Sequence, residues 1–307
     1  MDYIANTFST FLQIVPATLA QSLVLSFVVL GVMIPFRMLQ FPDLTSEGAY
    51  PLGGCVSAVA LNVGVPPIPA ILVGAGAGFL AGCSTALIHL RFKIHTLLSG
   101  IIVTTMLYSI NLAVLGKSNQ SVANANSIFE AADAVGLSDT QFKICVTACL
   151  AIVVTLALVW YLKTEKGIAF RSVGANPDMA EAQGISVWFA TVGGIGVAGA
   201  FSGFSGALMT QSQGFSDVNM GLGILINGLA ALIIGEAIVG RSSVPRQILA
   251  PFVGAIAYYL LVSLCLSANM PPPNLKLATG LFVLIMLALP TLKFGRGAAP
   301  AREEVRE

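Results

Sequence analysis

Apolar stretches long enough to cross a bilayer recur along almost the whole chain, with few charges to interrupt them. Of the 307 residues 9% are charged and 56% are hydrophobic, and the mean hydropathy is +0.87. A water-soluble domain cannot bury so large an apolar fraction, so we expect an all-α polytopic membrane protein with one transmembrane domain over residues 1–307. The pattern predicts about nine spans, near residues 12–36, 49–64, 67–90, 95–115, 142–162, 187–210, 219–240, 247–268 and 275–292.

The basic residues are unevenly distributed between the two sets of loops. If the N-terminus lies outside, the inner loops and the tail hold twelve Lys and Arg residues, and the outer loops hold three, Lys117, Lys143 and Lys276. Cationic residues beside spans stay preferentially on the cytoplasmic side. We therefore expect a multi-pass protein with an outer N-terminus and a cytoplasmic C-terminal tail, residues 293–307.

A polar segment, residues 163–187, interrupts the apolar pattern and carries the start and stop signals of a short helix. An N-cap asparagine precedes a proline, two acids lie near the positive end of the helix dipole, and a glycine can end the helix. These residues are Asn176, Pro177, Asp178, Glu181 and Gly184. They predict a helix of about two turns near 177–183, outside the membrane core. The simpler alternative is a solvated loop that is helical.

Three stretches resemble one family of membrane proteins. KGIAFRSVGANPDMAEAQGIS, at 166–186, resembles the cytoplasmic coupling segment of ATP-binding-cassette import permeases of the branched-chain amino acid and ribose type. FRMLQFPDLTSEGAYPLGG, at 36–54, resembles the segment after that family's first span. Together with LLSGIIVTTMLYSINLAVLGKSN, at 97–119, it points to the branch of tryptophan and tyrosine importer permeases, although Glu47 and Tyr50 depart from the form of that branch.

The resemblance implies a pore-forming permease subunit in the inner membrane of a bacterium. The chain itself would not be an enzyme and would hold no cofactor, because two copies of a partner ATPase would bind ATP and magnesium. A periplasmic or lipid-anchored binding protein would deliver a small solute, for which the resemblance suggests an aromatic amino acid. A second copy of the permease would complete a homodimer, with a heterodimer with a similar permease as the alternative. Membrane lipid would surround the dimer, and no nucleic acid partner is expected. The residues that would couple the permease to the ATPase are Gly167, Arg171, Gly174, Asn176, Pro177, Asp178, Glu181 and Gly184.

An internal repeat is visible without reference to any family. FPDLTSEGAYPLGG, at 41–54, aligns without a gap with FSDVNMGLGILING, at 215–228. In the predicted topology the two copies approach from opposite sides of the membrane, as inverted half-repeats near 12–115 and 187–292 would. Such breaks, or re-entrant segments, are tolerated at membrane depth only where protein or water satisfies the backbone. The polar residues predicted to line the translocation pathway are Asp43, Thr45, Glu47, Asp217, Asn219 and Asn227.

Two alternatives stay open for the acidic residues. Asp43 and Asp217 could instead be N-caps of the helices that follow them. The chain could also be an ion-coupled secondary transporter, in which Asp43, Glu47, Asp217 and Glu236 would hold the coupling ion. In an ATP-driven importer we expect Glu236 to have a structural role, facing protein or the neighbouring Arg241.

Glycines at four-residue spacing occur in two of the predicted spans. Small residues on one face of a helix allow a second helix to approach closely in a membrane. We therefore predict two close-packing faces, formed by Gly74, Gly78 and Gly82 and by Gly199, Gly203 and Ala207.

Overall fold

The computed structural model describes residues 2–122, 126–130, 138–268, 274, 277–281 and 284. In this part of the chain six helical segments are long and apolar enough to cross a membrane, namely Ser9–Met38, Pro67–Phe92, Thr96–Leu115, Asp139–Lys163, Val187–Gln213 and Val244–Ser267. The expected all-α membrane architecture is confirmed, whereas the count of nine spans is not. The span predicted near 275–292 lies mostly outside the described residues, and the tail 293–307 lies wholly outside them.

In the described residues the regular elements are helices, apart from two three-residue strands. The helices are α1 (Asp2–Met33), which continues through a π-helical turn (Ile34–Met38), α2 (Ser46–Asn62), α3 (Pro67–Phe92), α4 (Thr96–Leu115), α5 (Asp139–Lys163), α6 (Glu165–Ala175), α7 (Pro177–Ala182), α8 (Val187–Gln213), α9 (Ile224–Val239) and α10 (Val244–Ser267). Strand β1 (Asn119–Ser121) pairs antiparallel with β2 (Phe215–Asp217), so that Asn119 lies opposite Asp217.

The bundle has two distinguishable ends. At the basic end, where α1, α5 and α9 finish, Arg37 of the π-helical turn reaches Glu236 of α9. At the strand end, β1 pairs with β2, and Lys143 of α5 donates a hydrogen bond to the carbonyl oxygen of Ser212 in α8. The long helices run between these two ends.

Helices α2 and α9 are shorter than the other helices of the bundle. They contain 17 and 16 residues, and both begin inside the bundle after an irregular stretch. The second stretch includes β2 and a turn that ends at Gly223, whose φ of +81° favours glycine. For this reason α9 begins at Ile224 and not near 219, where the hydropathy pattern places the start of the span.

Helices α3 and α8 cross at their glycines. A Cβ placed on Gly78 would overlap the carbonyl oxygen of Gly199, and a Cβ on Gly199 would overlap that of Gly78. Gly203 faces the backbone of Gly74 in the same way. The two predicted close-packing faces are therefore one interface, and it positions α8 against the centre of the bundle.

Candidate functional site

The first break in the helical structure lies between the π-helical turn and α2, and its polar side chains Asp43 and Thr45 are buried. Oδ1 of Asp43 accepts hydrogen bonds from the backbone N–H of Thr45 at 2.9 Å and from its hydroxyl at 2.5 Å. The Thr45 hydroxyl also lies 2.6 Å from the hydroxyl of Thr85 on α3. Asp43 and Thr45 are 1% and 0% exposed, so in this structure both face the protein interior.

The second break lies at the strand end and repeats the same local structure. Oδ1 of Asp217 accepts a hydrogen bond from the backbone N–H of Asn219 at 2.6 Å, two residues on, as Asp43 does from Thr45. Neither acid is an N-cap, because the N-cap residues of α2 and α9 are Thr45 and Gly223. The N-cap interpretation is therefore wrong, and both acids form side-chain turns instead.

The two breaks lie at opposite ends of α4. Near the start of α4, a Cβ on Gly100 would lie 3.1 Å from Oδ1 of Asp43. Beyond its other end, the side chain of Asn119 lies 3.4 Å from Oδ2 of Asp217. The helix between Gly100 and Leu115 is roughly 22 Å long at the usual rise per residue. This is the arrangement expected of an inverted repeat.

The helices that follow the breaks begin beside each other. Glu47, in the first turn of α2, accepts a hydrogen bond through Oε1 from the backbone N–H of Gly223, which immediately precedes α9, at 2.7 Å. A carboxylate is favourable here because the N-terminus of a helix carries a partial positive charge. From this point α2 runs towards the strand end and α9 towards the basic end.

The predicted pathway residues do not form a single cluster. Asp43 and Thr45 are in contact, Glu47 reaches the second break, and the exposed Asn219 lies with Asp217 at the strand end. Asn227, within α9, accepts a hydrogen bond from the hydroxyl of Tyr258 at 2.9 Å. Analysis of the sequence missed Thr85 and Tyr258, because their contacts join elements that are distant along the chain.

Glu236 is buried at the basic end between two arginines. Its Oε2 lies 2.7 Å from Nη2 of Arg37 and 2.6 Å from Nη2 of Arg241. Glu236 faces protein and pairs with Arg241 as expected, and Arg37 is a partner that the sequence did not reveal. The ion pairs tie the end of α9 to the π-helical turn.

The polar segment at the basic end folds into two short helices. Thr164 caps α6 by accepting a hydrogen bond from the N–H of Gly167 at 3.3 Å, and Asn176 caps α7 by accepting one from Met179 at 3.0 Å. Pro177 is the first residue of α7, and Gly184, with φ of +80°, follows its end. The helix predicted near 177–183 is therefore present as Pro177–Ala182.

The buried side of this segment is fitted against the first break. A Cβ on Gly174 would overlap the carbonyl oxygen of Met38, the last residue of the π-helical turn. Val173 and Ala180 pack in one apolar cluster with Leu39, Phe41, Ala86 and Ile195. The segment thus contacts the chain just before Asp43.

The remaining coupling residues divide between the two sides of the segment. Asn176, Pro177, Asp178, Glu181 and Gly184 are exposed. Gly167 is buried against Leu162, and Arg171 is half-buried, with an Nε that has no hydrogen-bond partner among the described residues. Met179 is 60% exposed and adds an apolar side chain to the outer face of α7.

Comparison with known proteins places the chain in a family. Residues 14–289 match the family described as branched-chain amino acid transport system / permease component. The chain belongs to this permease family. The permease is 34% identical to the tyrosine transport system permease protein of Clostridioides difficile over 272 residues, which cover 89% of the chain and 90% of the relative. No solved structure matches the permease.

Two further relatives are more distant or shorter matches. An uncharacterized protein of Rickettsia prowazekii is 30% identical over 281 residues, which cover 90% of the permease and 98% of the relative. The nucleoside ABC transporter permease protein NupC of Lactococcus lactis is 30% identical over 166 residues, which cover 51% of the permease and 48% of the relative.

Proposed function

We propose that this chain is the membrane-spanning subunit of an ATP-driven importer for an aromatic amino acid. A separate ATPase docks on the basic end, which is cytoplasmic, and hydrolyses ATP with magnesium. An extracytoplasmic binding protein delivers the substrate at the strand end, and two permease copies with two ATPase copies form the complete importer. Membership of the permease family supports this assembly.

The observation that carries the proposal is the attachment of α7 to the first break. The outer face of α7 is exposed and its helix is capped by Asn176, so a docked partner can move it. This face includes Asp178, Met179 and Glu181. The same segment contacts Met38 through Gly174 and Leu39 through its apolar cluster. A short helix held by packing moves as a unit with what it packs against. Movement of α7 by the ATPase is therefore passed to the break that contains Asp43.

The positions of the two breaks support a path through the bundle. They lie at opposite ends of α4, and the helices after them begin together at Glu47 and Gly223. Alternating access in proteins with inverted repeats proceeds by relative movement of the two halves around such a point. In the proposed cycle, the ATPase moves the first break while the substrate enters from the second.

The substrate class rests on the relatives. The match to the tyrosine transport system permease covers nine-tenths of both proteins, whereas the match to the nucleoside permease covers about half. An amino acid is therefore better supported than a nucleoside. We expect uptake of labelled tyrosine, with competition by tryptophan and no competition by uridine.

Affinity purification tests the assembly. The tagged permease, solubilised from its native membrane, should bring down an ATPase and a binding protein that mass spectrometry identifies. Met179→Glu should lower ATPase recovery by at least tenfold, since a charge placed in the apolar part of a contact costs more than about 1.4 kcal/mol. His95→Glu, an exposed change at the same end, is the matched control.

The opposite result would point to a different class of transporter. Purification without an ATPase, combined with uptake in proteoliposomes that contain the permease alone, would overturn the proposal. It would favour a secondary transporter, in which the acids at the breaks hold the coupling ion.

A further inference from the structure

An apolar groove at the basic end has a cationic residue at its mouth. The groove has a volume of about 720 Å³ and lies between α5 and α8. Its lining includes Met33, Ile34 and Met38 together with Phe170 of α6. Lys166 and Ser186 line the same groove, so one end is polar while the rest is almost wholly apolar.

The groove opens beside a helix that the rest of the described bundle covers little. Only 11% of the most apolar stretch of α5 is buried inside the protein, so that this helix is the most exposed of the six candidate spans in the described residues. Along α8 the groove reaches from Ser186 to Phe201, roughly 22 Å at the usual rise per residue. One leaflet of the hydrocarbon core is about 15 Å thick, so the groove is long enough for one acyl chain.

The polar mouth has the side chains of a membrane–water interface. Trp160 and Tyr161 end α5, and Trp188 and Phe189 begin α8, all four of them exposed. Aromatic rings of this kind collect at the level of lipid headgroups. Helix α8, which has no acidic residue in its first turn, also begins at the mouth, and the N-terminus of a helix favours anions.

The charge at the mouth is available to a ligand. Among the described residues the ion pairs join Glu236 to Arg37 and to Arg241, and Lys166 takes part in neither. A cation at the polar end of an acyl-length apolar groove matches a lipid with an anionic headgroup. A protein helix would match the apolar part but would leave Lys166 without a counter-charge.

We propose that this groove is a binding site for an anionic phospholipid of the leaflet at the basic end. One acyl chain lies along α8 between Ala190 and Phe201, and the phosphate lies beside Lys166. The occupant contacts both the π-helical turn and α6, which leads into α7. The bound lipid therefore stabilises the attachment of the segment that the ATPase moves. The lipid site itself does not depend on the function proposed above.

Tryptophan fluorescence tests this site, because the chain has two tryptophans and each is next in sequence to a residue that lines the groove, Tyr161 or Phe189. The whole permease is placed in phosphatidylcholine vesicles to which one brominated lipid is added, either brominated phosphatidylglycerol or brominated phosphatidylcholine. The bromine atoms on the acyl chains quench tryptophan fluorescence on contact. Half-quenching should require about five-fold less brominated phosphatidylglycerol, the factor expected for one lysine near an anionic headgroup.

Two variants with matched controls locate the lipid. Lys166→Gln should abolish the preference for phosphatidylglycerol, whereas Lys117→Gln, at the other end of the bundle, should retain it. Gly193 lines the groove, and a Cβ there would meet no described atom within 4 Å, so Gly193→Leu fills the groove without a clash. It should also abolish the preference. Gly76→Leu, at an equally open position on α3, should not.

Four results would overturn the proposal. Equal quenching by both brominated lipids in the wild type would show that the site does not select the headgroup. An unchanged preference in Gly193→Leu, or a loss that is as large in Lys117→Gln as in Lys166→Gln, would show that the lipid does not lie in the groove. No quenching by either lipid would show that protein, such as a second copy of the chain, covers it.

Discussion

The carboxylate of Glu47 accepts a hydrogen bond from the backbone N–H of Gly223 at 2.7 Å, and this contact joins the beginnings of α2 and α9 inside the bundle. Gly221 lies so close to the carbonyl oxygen of Glu47 that a Cβ on it would overlap. The two half-repeats are therefore tied together where both short helices begin. Relative movement of the two breaks must strain this contact.

Replacement of Glu47 should destabilise the bundle more when the hydrogen-bond acceptor is removed than when only the charge is removed. Glu47→Ala leaves the Gly223 N–H without its acceptor, and because this donor is only half-buried the cost should be about 1 kcal/mol, the lower end of the range for a lost hydrogen-bond partner. Glu47→Gln keeps an oxygen acceptor but loses the charge, so its cost should be roughly half as large. Thermal unfolding in detergent measures both. An alanine variant as stable as wild type would contradict the assigned role.

The protein should tolerate asparagine in place of Asp43 or Asp217, because the side-chain oxygen is kept, but it should not tolerate alanine at Asp43. Asparagine can accept the same hydrogen bond two residues on, so Asp43→Asn and Asp217→Asn should retain most of the uptake. Alanine cannot, and Asp43→Ala should lose about 1–3 kcal/mol of stability because the Thr45 N–H is buried.

The same asparagine variants separate two transport mechanisms. In an ATP-driven importer the charge at these positions is not required for coupling. In a secondary transporter the acids would hold the coupling ion, and asparagine at either break would abolish uptake. Measured uptake of labelled substrate by the two variants, normalised to the amount of protein in the membrane, decides between them.

The losses of stability caused by replacing the two arginines around Glu236 should be strongly non-additive. The arginine side chains are 39% and 56% exposed and the glutamate side chain is 4% exposed, so water can reach each arginine but barely the acid. Arg37→Ala or Arg241→Ala alone leaves one partner and should cost about 1 kcal/mol or less. The double variant leaves an unpaired buried carboxylate and should cost about 3–5 kcal/mol. Chemical unfolding of the wild type, the two single variants and the double variant gives the interaction energy as a double-mutant cycle. Additive costs would contradict the shared pairing.

Helix α7 was predicted well because its start and stop signals are close together in the sequence. The cap, proline and terminal glycine of α7 lie within nine residues, so the helix could be placed almost to the residue. Helix α6, directly before it, was missed because its polar composition resembles that of a loop. It is stabilised by the Thr164 cap and by packing against the π-helical turn.

The contacts at the breaks could not be predicted because their partners are distant in sequence. Thr85 is 40 residues from Thr45, and Glu236 is 199 residues from Arg37. The repeat aligned Asp43 with Asp217, and the two residues make the same side-chain turn near opposite ends of α4, while the inverted half-repeats stay a prediction. The hydrogen bond between Glu47 and Gly223 arises only when both helices are in place, and neither stretch alone contains a signal for it.

Two glycines of α3 should differ in how much their replacement lowers the stability, because one lies in the interface with α8 and the other does not. Gly78 faces the backbone of Gly199, whereas a Cβ on Gly76 would meet no described atom within 4 Å. Gly78→Val must separate the two helices and should lower the stability by about 1–3 kcal/mol or more. Gly76→Val should be within about 0.5 kcal/mol of wild type. Unfolding temperatures of the two variants test this, and similar values would contradict the observed crossing.

The attachment of α7 to the first break should be separable from its binding to the ATPase. Gly174→Val adds atoms where the carbonyl oxygen of Met38 lies, and overpacking of this kind costs about 1–3 kcal/mol. The exposed face that includes Asp178 and Met179 is unchanged. The variant should therefore still recover the ATPase, while substrate uptake falls by about tenfold, the factor that corresponds to 1.4 kcal/mol.

Met179→Glu is the reciprocal case, since it should lose the ATPase while the contact at Gly174 stays intact. Paired measurements of ATPase recovery and uptake thus assign each side of the segment its own role. If Gly174→Val and Met179→Glu lost the ATPase equally, the buried side would be needed for docking. Movement would then not be transmitted through Met38, and another route from the ATPase to the break that contains Asp43 would be required.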